Sequence, residues 1–280
     1  NQQGQDWSQP PWHPRRLADA GYLPYRDMLR TILRHAGGIR VDHILGLFRL
    51  WWIPQGSGPG EGAYVHFDHE ALIGILVLEA QRAGAVVIGE DLGVFEPWVQ
   101  EYLAERGVLG TSILWFEHGD AGPRHPEQYR KGALTSVNTH DLPPTAGYLA
   151  GEHVDLRESL GLLNRPVEEE RAADAAAQES VLALVRSAGL LPQGASGTDN
   201  VQQTVEALHS FILQSPSVLI GVALADAVGE RRTQNQPGTG DEYPNWRIPL
   251  CGPDGKAVLL DDLPSNDRFN SLAELMKRSI

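Results

Sequence analysis

AVVIGED, residues 85–91, is a short apolar run, rich in β-branched residues, that ends abruptly in two acidic residues. Ahead of it lies a stretch with helical spacing, which Asp68 is suited to cap at its start and Gly84 to end. The same order of helix, short loop, buried strand and polar cluster recurs along the chain. This order predicts an α/β fold, in which a parallel sheet is covered by helices.

The repeated pattern predicts five strands with helices between them. The strands are expected at 39–41, 85–88, 111–116, 134–138 and 218–224, and the helices at 24–36, 68–82, 97–107 and 271–277. A longer helical stretch is expected over 156–214, interrupted at 189–200, and loops rich in glycine and proline at 55–62 and 234–245. A doubly wound sheet and an α/β barrel both fit this order of elements.

The positions of the acidic residues favour the barrel. Asp42, Glu90, Glu117 and Asp141 each come at, or just after, the end of a predicted strand. In an α/β barrel these strand ends converge on one mouth, where active sites lie. No strand–helix turn carries a glycine-rich phosphate-binding motif, which weakens the nucleotide-binding alternative.

The composition limits which binding partners and which cellular location are expected. The 280 residues include 23 Lys and Arg against 36 Asp and Glu, a net charge of −13, which argues against nucleic acids and anionic membranes as partners. The single cysteine, Cys251, cannot form an internal disulfide, which favours a reducing, cytoplasmic location. The start, NQQGQD, has no initiator Met and no signal-peptide pattern, so we expect a fragment of a longer protein.

Arg40 and Asp42 form the first candidate pair of site residues. They stand two positions apart on a predicted strand, so their side chains are expected to point the same way. An arginine beside a carboxylate keeps it ionised, which suits a nucleophile. A structural ion pair at a strand end is the alternative interpretation.

Glu90 and Asp141 are the next candidates. The apolar residues before Glu90 are expected to desolvate its carboxyl group, which favours the protonated form that a general acid needs. Asp141 adds a third carboxylate, beside His140. A solvated strand-end glutamate and a helix cap are the respective alternatives.

Together these carboxylates predict chemistry on sugars. Two carboxylates about 5–5.5 Å apart are the machinery of a retaining glycosidase or transglycosylase, and neighbouring strand ends can supply that separation. The seven tryptophans and seven tyrosines are compatible with stacking on sugar rings, although most aromatic residues belong to a core. No histidine or acidic cluster has the spacing of a zinc or EF-hand site, and no GxSxG turn occurs. We therefore predict neither a metal nor a cofactor.

Several motifs resemble those of bacterial 4-α-glucanotransferases, a family also called amylomaltase or disproportionating enzyme, within the α-amylase clan. GIRVDH at 38–43, IGEDLG at 88–93 and NTHD at 138–141 are similar to the family's three catalytic segments. GQDW at 4–7, NQPGT at 235–239 and PNWR at 244–247 resemble further segments. The resemblance runs in the family's order across nearly the whole chain and is thinnest over 151–200.

The resemblance implies a role for each matching residue. It implies that Asp42 is the nucleophile, Glu90 the acid/base and Asp141 the transition-state stabiliser. Arg40 and His140 are implied to bind the sugar that is cleaved, and Trp7, Asn235 and Gln5 are implied substrate contacts. It leaves the role of Asp226, at the end of the last predicted strand, open.

The resemblance also implies a fold and a substrate. Because the family's chains are longer, the expected fold is the C-terminal part of a (β/α)8 TIM barrel with about five βα units. Residues 1–280 would be one partial catalytic domain, with a helical insertion at about 151–215. Its open edges would favour self-association. Malto-oligosaccharides and α-1,4-glucans would be the substrates. An α-glucan hydrolase and a truncated chain that binds glucan without catalysis are the alternatives.

Overall fold

The computed structural model describes residues 6, 7 and 9–277, and Gln5 therefore lies outside the described residues. The chain divides into two compact units, Asn1–Thr111 and Ser112–Ile280. In the described part of the chain, no helix is both long enough and apolar enough to cross a bilayer.

The described residues of the first unit form four α-helices and four strands. The helices are α1 (Pro14–Asp19), α2 (Leu23–Leu33), α3 (His69–Ala83) and α4 (Trp98–Glu105), and the strands are β1 (Gly38–Val41), β2 (Arg49–Trp52), β3 (Ala63–His66) and β4 (Val86–Gly89). Asp68 caps α3 by accepting a hydrogen bond from the Ala71 N–H, and Gly84 ends it with a φ of 64°. The predicted α3 and its two end signals are therefore confirmed.

The parallel pair β1–β4 carries two of the candidate site residues. Val41 pairs with Gly89, so Asp42 and Glu90 are the next residues of two neighbouring strands. Gly89 is needed here because a Cβ atom would lie 2.7 Å from Cδ1 of the fully buried Ile44. The core of this unit is formed by α2 and α3 packed on the pair, with Leu29 and Leu76 buried at its centre.

The hairpin formed by β2 and β3 was not predicted. It pairs Arg49 with His66 and Trp52 with Ala63 in antiparallel fashion. The predicted loop at 55–62 is its connection and contains a 3-10 turn at Pro59–Glu61.

Up to residue 277, the second unit contains five strands and six α-helices. The strands are β5 (Gly110–Ile113, which begins in the first unit), β6 (His118–Gly119), β7 (Gly122–Pro123), β8 (Ala133–Ser136) and β9 (Leu219–Gly221). The helices are α5 (Thr145–Leu149), α6 (Glu152–Ser159), α7 (Val167–Ser187), α8 (Val201–Ile212), α9 (Leu224–Val228) and α10 (Asp267–Lys277). β8 lies between β5 and β9 and pairs with β9 in parallel. Side chains of α7 and α8, such as Val185 and Leu208, form the core.

Two predicted strands of this unit are shorter than expected. The run at 111–116 is a strand only to Ile113 and continues as a 3-10 turn, so Glu117 follows that turn rather than a strand. The run at 218–224 is a strand only over Leu219–Gly221, because α9 begins at Leu224 and buries Asp226. An apolar run alone does not distinguish a strand from a buried turn or helix.

Candidate active site

Asp42 directly follows the end of β1, and its side chain is exposed to solvent. The side chain is 68% exposed, and Oδ1 accepts a hydrogen bond from Nη1 of Arg40 at 2.5 Å. The structure thus brings the two residues together as the strand spacing predicted. One carboxylate oxygen is held by the guanidinium group, while most of the carboxylate remains open to a reactant.

Glu90 is held by main-chain groups on both sides. Oε2 accepts from the N–H of His43 at 2.8 Å, and Oε1 accepts from the N–H of Leu92 at 2.9 Å. His43 adopts a left-handed conformation, with φ 46° and ψ 53°, directly after Asp42. This turn carries the N–H of His43 to Glu90, so the backbone that follows one carboxylate fixes the other.

The register of β1 and β4 places the backbones of these two residues side by side. Neighbouring strands lie about 4.8 Å apart, and Asp42 and Glu90 extend from the paired residues Val41 and Gly89. The carboxyl groups of retaining glycosidases lie about 5–5.5 Å apart, and side chains at neighbouring strand ends can supply such a separation. The first unit therefore carries an exposed carboxylate beside a fixed, half-buried one.

Trp7 lies beside this pair. Its ring meets the ring of His43 edge to face, with the centroids 5.2 Å apart, and it is 56% exposed. Trp7 also lines a cleft of about 640 Å³ together with Trp12, Trp51 and Trp52. Exposed aromatic faces of this kind are suited to stacking on apolar faces of a ligand.

Asp141 is the centre of a polar cluster in the second unit. Its Oδ1 accepts from Nδ2 of Asn235 at 2.6 Å, and its Oδ2 lies 3.4 Å from Nε2 of His140. The rings of His140 and Trp246 lie 5.3 Å apart. The structure thus brings three of the predicted residues together and adds Trp246, which is 64% exposed. The signal for Trp246 in the sequence was the PNWR motif at 244–247, which contains it.

The loop that supplies Asn235 and Trp246 is ordered by its own hydrogen bonds. Oδ1 of Asn245 accepts from the N–H of Gln236 at 2.8 Å, and its Nδ2 donates to Oγ1 of Thr239 at 2.9 Å. The N–H of Trp246, a residue with φ 61°, donates to the carbonyl of Gln234 at 2.9 Å. The predicted glycine- and proline-rich loop is therefore held in one conformation by hydrogen bonds between its own residues.

Glu230 anchors the start of this loop from a buried position. Burial raises the pKa of its carboxyl group, but hydrogen bonds from the Arg232 side chain and from the N–H groups of Arg232, Cys251 and Arg231 outweigh that effect. The pKa of Glu230 therefore lies below its usual range. The side chain is 2% exposed and ionised at neutral pH.

No metal-binding cluster of three or more His, Cys, Asp or Glu side chains occurs among residues 6, 7 and 9–277. His69 stacks on Phe48 with the ring centroids 4.9 Å apart. Its ring belongs to an aromatic cluster with Trp98 and Tyr102.

Comparison with known proteins gives concordant matches. The family model described as 4-alpha-glucanotransferase matches residues 1–253. A 4-alpha-glucanotransferase of Mycobacterium tuberculosis is 58% identical over 99% of this chain and 39% of its own length, and one of Haemophilus influenzae is 32% identical over 89% and 36%. The chain thus spans about two fifths of the length of these relatives.

Solved structures give the same result. The crystal structure of amylomaltase from Corynebacterium glutamicum matches with a TM-score of 0.94 and 57% identity, over 98% of this chain and 40% of that one. Amylomaltase from Streptococcus agalactiae in complex with acarbose matches with a TM-score of 0.68 at 18% identity, over 99% of this chain and 48% of that one, which is a likeness of fold alone. The first match confirms that the fold is part of an α/β barrel, as expected.

Proposed function

This chain belongs to the 4-alpha-glucanotransferase family, and on that premise we propose that its protein transfers α-1,4-glucan segments between malto-oligosaccharides. Transfer would proceed by a retaining double displacement that uses side chains alone. One observation carries the proposal. The β1–β4 register places two carboxylates at neighbouring strand ends, and Asp42 is exposed while Glu90 is held by a main-chain hydrogen bond.

In the first step, a carboxylate oxygen of Asp42 attacks the anomeric carbon of the donor glucan. Nη1 of Arg40 donates a hydrogen bond to Oδ1 of Asp42 and so orients the carboxylate for this attack. The bond to the leaving sugar oxygen breaks while Glu90 gives that oxygen its proton. The product is a glycosyl ester on Asp42 and a free, shortened glucan.

In the second step, Glu90 takes the proton from the 4-hydroxyl group of an acceptor glucan. The acceptor oxygen then attacks the anomeric carbon, and the ester bond to Asp42 breaks. Two inversions restore the α configuration. The two N–H groups that hold Glu90 keep its carboxyl group in one orientation for both proton transfers.

The remaining site residues would bind the sugar and stabilise charge. Asp141 would stabilise the positively charged transition state, with its carboxylate oriented by Asn235 and His140. Trp7 would provide a stacking surface, supported by its exposure. Gln5, which lies outside the described residues, remains a proposed substrate contact through its motif.

The domain organisation and location are proposed on the same premise. Residues 1–280 would form one partial catalytic domain, with residues 151–215 as a helical insertion. A cytoplasmic location is supported by the single, buried Cys251.

Product analysis with maltotriose tests the function. The protein as its gene encodes it should convert maltotriose into glucose and longer oligomers. Short products alone would indicate the hydrolase, and binding without any product would indicate a glucan-binding protein. Asp42→Asn should remove nearly all turnover, because an amide cannot form the glycosyl ester. Asp27→Asn, an exposed carboxylate on α2, is the matched control and should leave turnover unchanged.

A further inference from the structure

One buried carboxylate holds both ends of the segment that carries His140 and Asp141. Asp226, on α9, is 1% exposed. Its two oxygen atoms accept from Nδ2 of Asn138 at 3.2 and 3.1 Å. They also accept from the N–H and from Oγ1 of Thr145, both at 2.7 Å.

These contacts leave the segment anchored at its ends and open at its middle. Asn138 and Thr145 are 6% and 0% exposed, whereas the side chains of His140 and Asp141 are 41% and 47% exposed. A buried carboxylate is costly unless its oxygen atoms are fully hydrogen-bonded, and here three donor groups from two ends of one segment satisfy it. Moving either end would break these bonds, so Asp226 limits the positions that the middle of the segment can take.

The residues after α9 anchor the second segment that reaches Asp141. Glu230 accepts from the N–H groups of Arg231 and Arg232 at 2.9 Å each and from that of Cys251 at 2.8 Å. The loop that begins there supplies Asn235, whose side chain binds Asp141. A Cβ atom on Gly147, in α5, would lie 2.0 Å from the carbonyl oxygen of Arg231, so α5 and this loop are in backbone contact.

We propose that Asp226 is a positioning residue, which sets the orientation of the Asp141 carboxylate toward Asn235 without touching substrate. The inference rests on the proposed function for its kinetic consequences. A purely structural Asp226 would contribute to the free energy of unfolding only. A positioning Asp226 acts on the reaction through Asp141.

Asp226→Asn in the protein as its gene encodes it tests the proposal. An asparagine has one acceptor oxygen and turns an NH2 group toward Asn138 or Thr145. Displacement of a group that acts on the reacting sugar by about 1 Å can cost about a hundredfold in rate, so we expect kcat with maltotriose to fall about a hundredfold. In an Asp141→Asn background the same change should cost less than about threefold, because the residue through which it acts is already disabled. An equal loss in both backgrounds would overturn the proposal.

Two further variants separate positioning from stability. Val228→Ala removes buried apolar contacts from the same helix without touching these hydrogen bonds, and should leave kcat unchanged below its melting temperature. Thr145→Val removes one hydroxyl donor while keeping the shape, and Thr145→Ser restores it. We expect kcat to fall about tenfold for Thr145→Val and to return to near the wild-type value for Thr145→Ser. If the Thr145→Val variant had the wild-type kcat, the inference would be contradicted, even where Asp226→Asn does not fold.

A crystal structure of a variant gives a readout that is independent of activity. With Asp226→Asn, or Thr145→Val where that protein does not fold, the 2.6 Å hydrogen bond between Asn235 and Asp141 should be lost. An unchanged bond would overturn the proposal. Absence of any transfer by the wild-type protein would instead refute the proposed function, and the crystal structure would still decide the role of Asp226.

Discussion

Glu90→Gln separates acid/base chemistry from nucleophilic attack. The carboxylate of Glu90 accepts two main-chain hydrogen bonds, from His43 at 2.8 Å and from Leu92 at 2.9 Å. A glutamine offers one oxygen, so one of these N–H groups loses its acceptor. Hydrogen bonds to charged groups contribute about 1.5–3 kcal/mol, so the free energy of unfolding should fall by about that amount. This is less than the stability of about 5–15 kcal/mol of a typical domain, and the variant should remain folded.

The effect on turnover should be larger and should depend on the leaving group. Loss of a general acid typically costs about 10²–10⁴-fold, so maltotriose turnover should fall by that factor. An α-glucosyl fluoride needs no protonation of its leaving group, so its first displacement should persist. The glycosyl ester on Asp42 should then accumulate, because deprotonation of the acceptor is slow.

Mass spectrometry of the peptide that carries Asp42, together with fluoride release, measures both outcomes. Glu96→Gln is the control, since Glu96 lies on the loop after Glu90 but pairs with Arg49 at 2.9 Å. Maltotriose turnover within tenfold of wild type, or no ester with the fluoride, would refute the assignment of Glu90 as the acid/base.

Three further predictions concern stability and assembly. Because the pKa of Glu230 is lowered in the folded protein, its stabilising effect is present above about pH 4.5 and is lost as the pH falls through the folded-state pKa. Urea unfolding should therefore show Glu230→Gln about 1.5–3 kcal/mol less stable at pH 7, with the difference shrinking below about pH 4.5; a constant difference would contradict this. Leu208→Ala, in the core of the second unit, should cost about 2–5 kcal/mol, whereas the exposed Leu78→Ala should cost less than about 0.5 kcal/mol. Residues 1–280 produced alone should self-associate, since β9 lies at an edge of its described sheet and Val222 after it is 39% exposed; a monomer by size-exclusion chromatography with light scattering would refute this.

The parts of the fold that local sequence determines were predictable. α3 could be placed because Asp68 and Gly84 mark its ends, and each forms its capping hydrogen bonds with residues only a few positions away. The β2–β3 hairpin could not, because its strands pair across a ten-residue connection and neither has a clear period of two. The helix α9, which follows the shortened strand β9, also depends on distant residues. The carboxylate of Asp226 in α9 accepts a hydrogen bond from the N–H of Thr145, 81 positions away.

The candidate site divides in the same way. The spacing of Arg40 and Asp42 predicted their contact, because side chains two apart on a strand share a face. The hydrogen bond from the N–H of His43 to Glu90 was not predictable, because every residue type except proline carries that donor. The bond from Asn235 to Asp141 joins residues 94 positions apart, and for Asn235 the resemblance was the only indication.

The β1–β4 pairing restricts how this protein can change in length. One inserted or deleted residue in either strand would turn the following side chains to the opposite face, and Asp42 or Glu90 would leave the mouth of the pair. Length changes between the strands carry no such penalty, because each doubling of a flexible loop costs only about 0.6 kcal/mol. Insertions and deletions among natural variants should therefore cluster in segments such as residues 53–62, which offer a designer room to add new binding surface while the paired strands stay untouched.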